Sequence, residues 1–98
     1  MSQQLTQEDA ALIAQAEVGE EARAFLASDL GKCVIGMAGQ EVEAARLELE
    51  TVSPEDQKKL RELQGKIALF RSFEGWLTEL ITDGEQAISV FRQQQQGD

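Results

Sequence analysis

The stretch VSPEDQKKLRELQGKIALFRSFEGWLTELI, residues 52–81, decides the fold. Its opening residues mark a boundary. Ser53 can cap a helix, Pro54 suits a first helical position because its missing N–H is not needed there, and Asp56 completes a pattern close to a capping box. Leu60, Leu63, Ile67, Phe70, Leu77 and Ile81 then recur in steps of three and four, a near-heptad seam broken at Glu74. Phe73, Trp76 and Leu80 widen this stripe. Thr82-Asp83-Gly84 could end the helix. Because Ala87, Ile88 and Phe91 keep the apolar phase, a weak point or kink is expected there instead of a loop.

Upstream of Ser53 the same period continues in the opposite arm. Thr6 can cap a helix with Asp9 reaching back, and Leu12, Ile13, Ala16, Ala22, Phe25, Leu26 and Leu30 follow at helical spacing. Gly19 weakens that helix by about 1 kcal/mol relative to Ala. A second segment carries Leu30, Val34, Met37, Ala38, Val42, Ala45 and Leu49. Two readings stay open for residues 7–50: one bent helix, or two helices with Asp29 as the cap of the second. Gly31, Gly36 and Gly39 allow another backbone to approach closely. Residues 1–5 and 93–98 are expected to fray.

These patterns predict an all-α chain. It forms a long antiparallel helical hairpin or a small three-helix bundle, as one helical domain over 1–98, with the turn near 51–54. Folding the arms back pairs residues whose numbers sum to roughly 105. Val42 then lies near Leu63, Ala38 near Ile67, Gly36 opposite Leu69 and Phe70, Val18 near Ala87, and Ala14 near Phe91. Small side chains meet large ones, as close helix packing requires. A chain of 98 residues with five aromatic side chains has a modest core, so oligomerisation is expected to complete it.

Charge and composition narrow the function. The net charge is −9, from 18 acidic and 9 basic residues, which disfavours direct binding to nucleic acid or to anionic membranes. Residues 1–50 hold ten acidic and three basic side chains, and residues 51–98 hold eight and six. The longest apolar run, Cys33–Gly39, is far short of a membrane span of about 20 residues. With no His and the single Cys33, the chain lacks the Cys and His ligands a zinc site ordinarily uses, and a Ser-His-Asp or Cys-His centre cannot be assembled within it. Cys33 is expected to be a small buried side chain in an intracellular, reducing setting. Gly31-Lys32-Cys33-Val34-Ile35-Gly36 lacks the order of a phosphate-binding loop, so its glycines are read as packing residues. The groups Glu17, Glu20, Glu21 and Glu41, Glu43, Glu48, Glu50 read as solvated faces. No catalytic residue, cofactor or metal is expected.

Several segments resemble small uncharacterised all-helical proteins of tailed bacteriophages and prophages. They are Ala14-Gln15-Ala16-Glu17, Phe25-Leu26-Ala27-Ser28-Asp29-Leu30-Gly31-Lys32, Arg61-Glu62-Leu63-Gln64, Phe73-Glu74-Gly75-Trp76-Leu77 and Gly84-Glu85-Gln86-Ala87. Where those proteins more often carry an aromatic after Ile67, this chain has Ala68. The resemblance implies a role in particle assembly or an accessory role during infection, in the host cytoplasm or associated with the virion. It supplies no activity.

The functional expectation is a non-enzymatic helical protein-protein interaction or assembly protein. It would act as a homo-oligomer, or with a phage structural or host protein. Phe70, Phe73, Trp76 and Leu77 are its candidate apolar anchors. Two other readings stay open. One is an acidic inhibitor or decoy of a nucleic-acid-binding host protein, and the other is a small-ligand binder at a subunit interface.

Overall fold

The computed structural model describes residues 6–96. Among the described residues the fold is all-α, with three helices: α1 (Gln7–Ala27), α2 (Asp29–Thr51) and α3 (Gln57–Gln96). The terminal segments expected to fray are 1–5 and 93–98. Of these, 1–5 and 97–98 lie outside the described residues, and α3 continues through Gln93–Gln96.

Each boundary has a local cause. At the start of α1, Thr6 Oγ1 accepts the Asp9 N–H at 3.0 Å, and Asp9 Oδ2 accepts the Thr6 N–H at 3.5 Å, so the expected capping box forms. Residues 7–50 form two helices, and the break is at Ser28. The extended backbone of Ser28 (φ −76°, ψ 159°) turns its hydroxyl to accept the Gly31 N–H at 2.9 Å. Ser28 is therefore the cap, and Asp29, expected in that role, is the first helical residue. Its carboxylate there faces the positive end of the helix dipole.

The start of α3 also differs from expectation. Residues 53–56 close a turn in which the Asp56 N–H donates to the Ser53 carbonyl at 2.9 Å. The Ser53 hydroxyl is engaged with Glu55, so it does not cap a helix. Asp56 does, accepting the Lys59 N–H at 3.1 Å. Pro54 suits the second position of such a turn as well as it suits a helix start. From Gln57 the helix runs unbroken, and Thr82-Asp83-Gly84 lies inside it.

The chain divides into two compact units. The second, Ala27–Trp76, pairs α2 with the N-terminal part of α3. Ala45 and Leu63 are its buried apolar residues, and Leu60, Ile67 and Phe70 of the expected seam are half-buried beside them. Ion pairs Lys66 Nζ–Glu41 Oε2 (2.9 Å) and Lys59 Nζ–Glu48 Oε2 (3.1 Å) span the two helices. Both pairs sum to 107, two residues from the expected register. Exposed pairs of this kind contribute about 0–1 kcal/mol each. Gly36 and Gly39 pack nothing: a Cβ at either would meet no atom within 4 Å. Gly36 is therefore not opposite Leu69 and Phe70.

The first unit pairs α1 with the part of α3 from Leu77 onward. Here the backbones come close at two glycines for which close packing was not expected. A Cβ on Gly19 would lie 2.9 Å from the Leu80 carbonyl oxygen and 3.0 Å from Gly84 Cα. A Cβ on Gly84 would lie 3.0 Å from Gly19 Cα and 3.1 Å from the Gln15 carbonyl oxygen. Ala22 and Ala87 are buried one turn beyond. Arg23 Nη2 reaches Glu85 Oε2 at 3.1 Å, and Gln94 Nε2 donates to Glu8 Oε1 at 3.0 Å, which fixes the two segments antiparallel.

Candidate interaction surfaces

The buried faces of α1 and α2 are narrower than their apolar stripes. In α2 the inward residues are Gly31, Val34, Ile35, Ala38, Val42, Ala45 and Leu49. Leu30 and Met37, expected on that stripe, are 66% and 60% exposed. Cys33 is exposed as well, not buried, because it falls outside the row that meets α3.

In the second unit this leaves an apolar face. Val34, Met37, Phe70 and Phe73 line a groove of about 400 Å³ between α2 and α3, with Glu41 at its edge. Leu69 (58% exposed) and Trp76 (54% exposed) stand on α3 four residues before and three after Phe73, so the three share one side of the helix. Of the expected anchors, Phe70 and Phe73 are brought together here, half-buried, with Trp76 beside them in the helix and open to solvent. Leu77 is half-buried and is the first residue of the α3 part that belongs to the first unit. Met37 and Leu69 were not among the expected anchors, Met37 being placed on the α2 stripe and Leu69 opposite Gly36. The spacing Leu69, Phe73, Trp76 contained the signal for a second stripe on α3.

The first unit has a different surface. Between α1 and α3 lies an open groove of about 550 Å³. Ile13, Ala16, Ile88 and Phe91 supply its apolar lining, Glu17, Glu20 and Glu21 its acidic edge, and Arg92 the basic residue among those lining it. Residues 6–26 and 77–96 carry eight acidic and two basic side chains. The second unit carries nine and seven. The acidic excess therefore sits mostly on the first unit.

Among the described residues no group of three or more His, Cys, Asp or Glu is placed to hold a metal ion. No described helix is long and apolar enough to cross a membrane. Lys59 has its pKa raised above the ordinary lysine value of 10.5, chiefly by its hydrogen bond to Glu48 and by the charge of that carboxylate. No family model, curated protein or solved structure matches the chain.

Proposed function

We propose that the chain is a non-enzymatic helical interaction protein that associates with a second copy of itself through the face formed by Val34, Met37, Leu69, Phe73 and Trp76. One observation carries this reading. Among the described residues the buried apolar side chains are Ala22, Ala45, Leu63 and Ala87, while Met37, Leu69 and Trp76 are each more than half exposed. Two helices bury one stripe each, and a third and fourth helix from another molecule would cover what remains. Trp, Phe and Met are the residue types enriched at interface centres. The near-balanced charge of the second unit lets like approach like, as a two-fold symmetric contact demands. The likeness to tailed-phage proteins supports assigning this association to particle assembly or to an accessory role in infection.

Sedimentation over a wide concentration range tests the proposal. The expected result is a rise from the 10.8 kDa monomer toward twice that mass. The emission of Trp76, the sole tryptophan, should shift to the blue in parallel. Met37→Glu and Trp76→Ala should stay monomeric with unchanged helix content by circular dichroism. A wild-type chain that remains a monomer throughout defeats the proposal.

A further inference from the structure

We infer that the groove of the first unit binds a cationic amphipathic helix supplied by another protein. The floor and the edge of this groove select different properties of an occupant. Ile13, Ala16, Ile88 and Phe91 offer an apolar trough of about 550 Å³ along two antiparallel helices. A helix laid into such a trough anchors itself by apolar side chains at i, i+3 or i+4, and i+7.

The edge decides the charge of the occupant. Glu17, Glu20 and Glu21 lie within little more than one turn of α1 and line the groove together with a single basic residue, Arg92, so its charge is acidic on balance. Glu20 is 3.8 Å from Arg23 Nε, and the same guanidinium also serves Glu85. Among the described residues Glu17 and Glu21 form no ion pair. Lys or Arg beside the apolar anchors of an incoming helix would meet these carboxylates, two of which have no ion-pair partner among the described residues. A second copy of this chain has a basic amphipathic stretch of its own at the start of α3, but that stretch is packed with α2, and its Lys59 and Lys66 are already paired with Glu48 and Glu41. A partner helix with basic flanks and an apolar stripe fits both requirements. This site lies in the first unit and does not depend on self-association through the second.

The test uses the full chain and labelled peptides of about 18 residues, five helical turns, read by fluorescence anisotropy. One peptide is a Leu/Lys amphipathic helix, and another has the same composition scrambled so that no stripe forms. The amphipathic peptide should bind at least about tenfold more tightly than the scrambled one. Glu17→Gln with Glu21→Gln should weaken it about tenfold. Glu50→Gln with Glu62→Gln removes the same charge from the second unit and should change affinity less than about twofold. Phe91→Ala, checked for folding by circular dichroism, should also weaken binding, and Trp76→Ala should not. Absence of binding by the wild-type chain overturns the inference. So does equal affinity for the scrambled peptide, which would mean that charge alone attracts, and so does equal loss from the two glutamine pairs.

Discussion

Replacing Gly84 with Ala sets two known effects against each other in one helix. Intrinsic propensity favours the change by about 1 kcal/mol, since Gly is a poor residue for a helix interior. Packing opposes it. The new methyl would stand 3.0 Å from Gly19 Cα and 3.1 Å from the Gln15 carbonyl oxygen, both backbone atoms that no rotamer change can move aside. Carbon contacts are most favourable near 3.5–4.0 Å, so α1 must retreat by roughly 0.5–1 Å. That retreat would loosen the burial of Ala22 and Ala87 in the same contact. Overpacking of this kind costs about 1–3 kcal/mol. The net expectation is destabilisation by about 0–2 kcal/mol, and the same holds for Gly19→Ala. Gly65 and Gly75 provide the control, because a Cβ at either meets nothing within 4 Å. Gly65→Ala and Gly75→Ala on the same helix should stabilise by about 0.5–1 kcal/mol. Urea denaturation followed by circular dichroism, at one fixed protein concentration because association shifts apparent stability, reads all four. If Gly84→Ala raised the midpoint as much as Gly65→Ala does, the close crossing of α1 and α3 would be refuted.

Three other perturbations have expected outcomes. Leu63, 4% exposed, should lose about 2–4 kcal/mol on truncation to Ala, whereas half-buried Leu77 should lose about 1–2 kcal/mol; equal losses in urea melts would contradict this burial order. Ser28→Ala removes the hydroxyl that accepts the Gly31 N–H and should destabilise by about 1 kcal/mol, while Asp29→Ala should cost less; the reverse order would restore Asp29 as the cap. The raised pKa of Lys59 means that its pair with Glu48 is fully present below the unfolded lysine value near 10.4 and is lost as pH rises through the higher folded value. Melting temperatures across the alkaline range should therefore fall less steeply in Glu48→Gln than in wild type.

The parts of this structure legible in the sequence are those fixed by one helix alone. The seam from Leu60 to Ile81 follows from its period, and the Thr6–Asp9 box is a local exchange of hydrogen bonds. Boundaries with two adjacent candidates were not legible. Ser28 and Asp29 both have capping side chains, and the apolar phase runs across them without a gap. Ser53 and Asp56 competed in the same way, and Pro54 fits either solution. Where a stripe is wide, period does not say which part of it meets the partner helix. Leu30, Cys33, Val34 and Met37 are all apolar, yet Val34 turns inward and the other three stay in solvent. The Gly19–Gly84 contact depends on register between helices, so each glycine alone reads as a weak point. For the same reason the period puts Phe70 in the seam and Phe73 and Trp76 beside it, without saying which of the two flanking residues is covered. Contact with α2 separates the half-buried pair from the open tryptophan.

The unequal charge of the two units leads to opposite responses to salt. Self-association through Met37, Phe73 and Trp76 joins surfaces with a small net repulsion and a large apolar content. Raising ionic strength from 0.1 to 1 M shortens the screening distance from about 10 to about 3 Å, which removes repulsion and leaves burial of apolar area intact. Dimerisation should hold or strengthen. Binding of a cationic helix along Glu17, Glu20 and Glu21 draws on attraction between unlike charges, so the same change should weaken it. Each measurement is the control for the other, since both use one protein and one salt series. If both affinities moved in the same direction, the two surfaces would not be chemically distinct. One of them would then have to be reassigned, and the effect of Trp76→Ala on each affinity would identify which.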